Sequence, residues 1–326
     1  MAKCAVRLAF ILILLGYGLH IAPAQAQLAR TFVSAANGSD ANDCNRLTPC
    51  RTFQRAHDNA LPGGEITVLD PGGYGAVRIT KTISITNDGV GEAGILVSAG
   101  NAGIIVNAGP SDAVNLRGLT IKGIGFGGGT GIVFNSGGAL AIENGALRNL
   151  QTMATEFLPG AIAFQPTTVS HLTISDTVVA DNDGDGIVVE PVAAGIGVTA
   201  VFDRVGAYNN TRSGIHVVGG PGTSSVSATA ADCLLVNNAH NGIVATSLPP
   251  SIGSVGLLVK GAVAIGNGIG VLAEGGAATV QLGRSVMTGN LDGWIMANFG
   301  LVQSYGDNAI DGNTAFNTPP PAIALR

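Results

Sequence analysis

The sequence predicts an all-β solenoid: a parallel β-helix of single-stranded turns, with one short helix capping its N-terminal end. One short phrase returns through residues 160–297. It reads Gly160-Ala-Ile-Ala-Phe, Gly186-Ile-Val-Val-Glu, Gly214-Ile-His-Val-Val, Gly242-Ile-Val-Ala-Thr, Gly270-Val-Leu-Ala-Glu and Gly293-Trp-Ile-Met-Ala, at steps of 26, 28, 28, 28 and 23 residues. Self-similarity at such a period marks one unit stacked on itself, because no unit can bury its apolar face alone. Each phrase is a five-residue apolar run rich in Val and Ile, too short for a helix. Two more strand-like runs fill the period, for example Val198–Phe202 and Val205–Tyr208. Three short strands per turn, paired in parallel with their equivalents above and below, describe a β-helix.

Taken from its start, the chain opens with the features of an export signal. Lys3 and Arg7 form a basic segment, Leu8–Ile21 is apolar, and Ala24-Gln25-Ala26 is a small-x-small cleavage site. Residues 1–26 are therefore expected to be a cleaved signal peptide, and the protein to be secreted or periplasmic. No later run is apolar and long enough to span a membrane. Setting aside Lys3 and Arg7 leaves 14 basic against 21 acidic residues, a net charge near −7. With no basic stripe to meet phosphates, nucleic acid is excluded as a partner. Cys4 lies in the signal and Cys233 on a strand run, whereas Cys44 and Cys50 sit six apart in a polar stretch. In an oxidising compartment these two are expected to form a disulfide.

A helix is expected from Pro49 to Ala60, with Thr48 as N-cap and Pro62-Gly63-Gly64 as its stop. Phe53, Ala56 and Ala60 would share one face and cover the open end of the solenoid. Residues 27–64 are thus read as a cap, 65–317 as the β-helix and 318–326 as a C-terminal tail, with Gln151–Pro159 as an insertion between two sets of turns.

Alternation assigns the faces of each phrase. Ile187, Val189, Ile215, Val217, Ile243, Ala245, Val271 and Ala273 are expected inside; Val188, Glu190, His216, Val218, Val244, Thr246, Leu272 and Glu274 outside. Glycine at the corner is read as permitting positive φ. Asn182, Asn210, Asn238, Asn267 and Asn290, just before it, are expected to share amide hydrogen bonds from turn to turn.

The segments Phe32-Val-Ser-Ala-Ala-Asn-Gly-Ser-Asp, Thr48-Pro-Cys-Arg-Thr-Phe and Gly64-Glu-Ile-Thr-Val-Leu-Asp-Pro-Gly-Gly-Tyr-Gly carry a resemblance. With the Asn-(x)₃-Gly-Ile turns that follow, they resemble exported bacterial right-handed parallel β-helix repeat proteins of the pectin-lyase-like superfamily. The resemblance implies right-handed coiling, an N-terminal capping helix and an extracytoplasmic location. That superfamily includes lyases, hydrolases and epimerases of polysaccharides as well as non-enzymes, so the fold transfers and the chemistry does not. The Asn-Thr-Asp, Asp-Asp, Gly-His-Gly and Arg-Ile-Lys motifs of its polygalacturonases are not intact here. Arg204 and Arg212 fall at corners, away from any place for the arginine base of its pectate lyases.

Three constellations are candidates for chemistry. Asp181-Asn-Asp183-Gly-Asp185-Gly186 has the Asp-x-Asp-x-Asp-Gly form of a calcium loop, although Asp, Asn and Gly are also what corners are made of. Glu190 and His216, on adjacent turns about 4.8 Å apart, are candidates for a carboxylate–imidazole acid/base pair. Glu274 and Trp294 are candidate ligand contacts beside them. Glu143, Asp176, Asp203 and Asp232 suggest a carboxylate column, against which stands simple turn closure. The sequence thus predicts a non-catalytic scaffold binding glycan or a protein partner along the solenoid side, with a polysaccharide-active enzyme as the alternative.

Overall fold

The computed structural model describes residues 27–123, 129–151 and 160–324. The expected signal peptide and nearly all of the expected insertion lie outside them. Among the described residues, thirty strands form three parallel sheets that wind round one another: sheet A with eleven strands, sheet B with ten and sheet C with nine. One turn of the winding, for instance, runs through Gly197–Asp203 in sheet A, Gly206–Tyr208 in sheet B and Ile215–Val218 in sheet C. Each strand pairs with its equivalent one turn away, as Ile187↔Ile215↔Ile243↔Val271 shows in sheet C.

The inward ladders are as alternation predicts. Ile187, Val189, Ile215, Val217, Ile243, Ala245, Val271 and Ala273 all belong to one continuous apolar core. Phe134 and Phe164 stack within it with ring centroids 4.3 Å apart. The solenoid begins earlier than expected, because Leu28–Val33 already pairs in parallel with Ala60–Val68. The single helix among the described residues, α1 (Phe53–Asn59), is shorter than Pro49–Ala60 and is capped by Thr52, whose side chain accepts from Arg55 N. Thr48 is instead drawn to the Asp43 carboxylate. Helix α1 buries Phe53 and Ala56 against the first strands, and Phe53 packs on Tyr74 at 5.0 Å. Beside it, Cys44 and Cys50 form the expected disulfide. At the other end the tail crosses the last turn, with Ser304 N donating to Pro321 O and Trp294 Nε1 to Thr318 O.

The asparagine ladder forms. The amide nitrogen of Asn182 donates to Asn210 Oδ1 at 3.0 Å, and the series continues through Asn238, Asn267 and Asn290 to Asn313. From Asn210 to Asn290, each Oδ1 takes a side-chain N–H from the preceding turn. At Asn238, Asn267 and Asn290 it also takes a backbone N–H from that turn. The second amide hydrogen goes to a carbonyl such as Ala207 O or Leu235 O. These amides are buried and their hydrogen-bonding capacity is used inside the protein.

Three sequence expectations are corrected. Ile162, not Ala161, pairs with Ile187, so Ala161 and not Gly160 occupies the corner position of the first phrase. Secondly, the phrase glycines do not have positive φ; that conformation belongs to Asp181, Asn209, Asn237, Gly266 and Gly289 four or five residues earlier. Glycine is needed for close approach: a Cβ on Gly214 would lie 2.7 Å from Gly242 O and 3.0 Å from Asn238 Nδ2. Gly214→Ala is therefore expected to cost about 1–3 kcal/mol, the range for a core forced to overpack, read as a lower urea midpoint. Thirdly, the acid column divides. Asp203 aligns between Ser175 and Ala231, below Glu143, whereas Asp176 and Asp232 occupy the adjoining positive-φ corner with Arg204 between them. Arg204 Nε meets Asp176 Oδ1 at 2.7 Å and Arg117 Nη1 meets Glu143 Oε2 at 2.8 Å, so the acids close turns and pair with arginine.

Candidate functional site

The outer face of sheet C carries the features from which function can be argued. Its central outward column runs Arg78, Ile105, Val133, Ala163, Val188, His216, Val244, Leu272 and Ile295. The strands place these residues outward because their neighbours on either side are packed into the core. Towards the N-terminal half this column floors a groove of about 360 Å³. Ile105 and Val133 form the apolar base, with Arg78, Asn101, Thr130, Asn135 and Gln165 around it. The Asn107 amide lies 2.8 Å from the Asn135 amide nitrogen and, turned to present its oxygen, 2.5 Å from Arg78 Nη1. The site is thus an apolar strip bordered by amides, a hydroxyl and one guanidinium.

Gln165 connects the groove to a set of buried ionisable groups. Its Nε2 donates to Glu190 Oε2 at 3.2 Å, from one turn to the next. Glu190 is only 6% exposed, and burial holds its carboxyl above the usual glutamate value against the opposing influence of Gln165 and His216. His216 does not bond to Glu190 as the sequence suggests. Its Nδ1 lies 3.2 Å from Asp185 Oδ2, and its Nε2 lies 3.0 Å from Thr246 Oγ1. Asp185 is fully buried and also accepts from Ser213 N at 2.7 Å. Burial opposes its ionisation, yet the hydrogen bond and charge of His216 with the Ser213 amide outweigh it, so the carboxyl stays below the usual aspartate range. Asp185, His216 and Thr246 therefore form a relay across three successive turns. Val188 and Val218 form a small apolar cluster apart from the main core on this face.

No family model matches the sequence, and no curated protein matches it. Among solved structures, pectate lyase Pel9A superposes with a TM-score of 0.51 at 13% identity, over 90% of this chain and 81% of that one. The fold is a right-handed parallel β-helix, as in this pectate lyase. A GH136 lacto-N-biosidase from Eubacterium ramulus (12% identity, 91% of this chain, 68% of that one) has a TM-score of 0.43. The A-module of the mannuronan C-5 epimerase AlgE4 from Azotobacter vinelandii (13%, 81% and 91%) has a TM-score of 0.35.

On this β-helix the remaining candidate residues separate. The calcium loop does not converge. Asp185 turns to the outer face of sheet C, whereas Asp181 is exposed and takes the Asn209 amide at 2.9 Å, and Asp183 takes the Thr211 hydroxyl at 2.9 Å. Each carboxylate already serves the turn beside it, and no group of three His, Cys, Asp or Glu side chains among the described residues is placed to hold a metal. Asp181 and Asp183 border a second cleft of about 430 Å³ with Asn149 and Gln151, at the corner between sheets B and C. Glu274 is not beside His216: it lies two turns further on, in the column of Val218 and Thr246 and not that of His216, and it accepts from Asn298 Nδ2 at 3.0 Å. Trp294 pairs with Val271 and so points inward, 8% exposed, edge-on to Phe316 at 5.9 Å. It closes the end of the core and does not face a ligand.

The sequence reading missed Asp185 as the partner of His216, and Gln165, Asn135 and Arg78 as groove residues. A signal for the groove was present. Asn135, Gln165 and Glu190 each follow an inward core residue of sheet C and so share one outward column, which Asn107, paired with Ser136 across a bulge, joins through its amide contact with Asn135.

Proposed function

We propose that this protein is an exported, non-catalytic β-helix that binds glycan in the groove on the outer face of sheet C. The observation that carries this is the lining of the groove. Ile105 and Val133 offer a flat apolar strip for the C–H face of a sugar ring, and Asn101, Asn135, Gln165 and Arg78 offer donors and acceptors for its hydroxyls. A glycan is favoured over a protein partner because polar groups set round so small an apolar base suit a ligand that is polar at its edges and apolar on its faces. The buried acids support a binding role over a catalytic one. Asp185, His216 and Glu190 each expose less than a tenth of their surface, and both ring nitrogens of His216 are engaged inside the protein. Export is supported by the Cys44–Cys50 disulfide, since such bonds persist in oxidising compartments. No helix among the described residues is long and apolar enough to cross a membrane.

Calorimetric titration with neutral and uronate tetrasaccharides tests the reading. Binding that Arg78→Ala weakens by about 10- to 100-fold, the loss of hydrogen bonds to a charged group, is expected. Incubation with uronate polymers should give no rise in unsaturated-product absorbance. Product formation would establish the enzyme alternative, and a panel without a single binder would end the glycan reading.

A further inference from the structure

The link between Gln165 and Glu190 has a consequence for the groove, and it rests on the binding site just described. A glutamine amide is two-sided, with Oε1 an acceptor and Nε2 a donor of two hydrogens. Gln165 lies half-buried between the groove and Glu190, so whichever end faces Glu190, the other can face the groove. An ionised Glu190 can only accept, and therefore holds Nε2. A protonated Glu190 carries an O–H that can donate to Oε1.

We propose that the proton on Glu190 sets the hydrogen-bonding sense of the groove through Gln165. With Glu190 ionised, Gln165 gives Nε2–H to the carboxylate and turns Oε1 outward, offering an acceptor to a sugar hydroxyl. With Glu190 protonated, its hydroxyl donates to Gln165 Oε1, and Nε2–H turns outward as a donor to a ring oxygen, carbonyl or carboxylate of the ligand. No atom other than the proton is exchanged with solvent.

The surroundings of Glu190 suit it to this role. It is buried on a face whose neighbouring outward positions are Val188 and Val218, so the charged form gains little solvation. The titratable groups on the turns packed around it are His216 on the following turn and Asp185 on its own strand. These two are bonded to each other, and the charge of His216 opposes burial at Glu190 without outweighing it. Arg78 lies farther along the groove, beyond Gln165.

The test uses the full chain, selectively labelled with ¹⁵N-glutamine and ¹³C-carboxyl glutamate. The Gln165 side-chain resonances are assigned with Gln165→Asn, and the wild-type protein is titrated with acid. The Gln165 NH₂ signals are expected to move in a single step with the Glu190 carboxyl signal, at a pH above the usual glutamate value, and the step should vanish in Glu190→Gln. Gln165 signals that stay flat while Glu190 titrates would overturn the proposal, as would Glu190 titrating at or below the usual value. The wild-type titration decides even if a variant does not fold. Tetragalacturonate serves as the binding probe on either side of the step. About a tenfold loss of affinity is expected on ionisation, the weight of one hydrogen bond exchanged for an opposed acceptor. A Gln165 step without any bound tetrasaccharide would leave the proton switch standing and remove the glycan reading. Binding without the step would do the reverse.

Discussion

Asn238→Ala is expected to destabilise the protein by about 3–5 kcal/mol, the sum of several buried groups at roughly 1–3 kcal/mol each. Asn238 makes its ladder bonds on both sides. Its Oδ1 accepts from Asn210 N and Nδ2, and its Nδ2 donates to Ala207 O and Asn267 Oδ1. An alanine leaves the two Asn210 donors and the Ala207 carbonyl without these partners in a region closed to water. Because each turn of a solenoid touches only its neighbours, the loss is also expected to weaken coupling between the halves on either side. Urea unfolding followed by circular dichroism should show a lower midpoint and a broadened or split transition. An unchanged curve would mean that water or another side chain completes the ladder. Asn238→Asp is the sharper control, since the carboxylate keeps the shape and the acceptors but loses both donors.

Asp185→Ala is the second large effect, expected to cost about 3–5 kcal/mol as the removal of one member of a buried polar pair. It would strand Ser213 N and the Nδ1 side of His216 at once. The pH dependence follows from the direction of the shift. Asp185 is held below the usual aspartate range, so its stabilising contribution is present above that range and is lost as pH falls through its lower folded-state value. The difference between wild type and Asp185→Ala should therefore shrink in strong acid. Glu190 runs the other way. Its folded-state value is raised by burial, so its contribution is full below the usual glutamate value and lost as pH rises through the higher folded-state value. Glu190→Gln should thus match wild type in acid and become the more stable protein as pH rises. Stability curves measured across a pH series separate the two carboxylates, because no single titration produces opposite slopes.

The core was legible in the sequence because burial follows a period. Ile187, Ile215 and Ile243 had to lie above one another, and the asparagines had to do the same at the corner. The site was less legible because its contacts run diagonally across the face. Counting by twos back from the inward Ile187 sends Asp185 inward too. The alternation breaks at Gly186, where the chain presses against Gly214 O, and the carboxylate emerges on the side of His216. Trp294 shows the opposite case. Its position after Gly293 matches that of Val271 after Gly270, and the face rule alone places it inside.

The amide series from Asn182 to Asn313 has a direction, each side-chain bond running from an Nδ2 to the carbamoyl oxygen of the next turn towards the carboxy terminus. Such aligned dipoles join only head to tail. The molecule can therefore lengthen or shorten in quanta of one coil, each inserted in the same sense. An excised segment such as 214–241 would leave Asn210 meeting Asn267 with its polarity intact, whereas half a coil would leave a fault in the column.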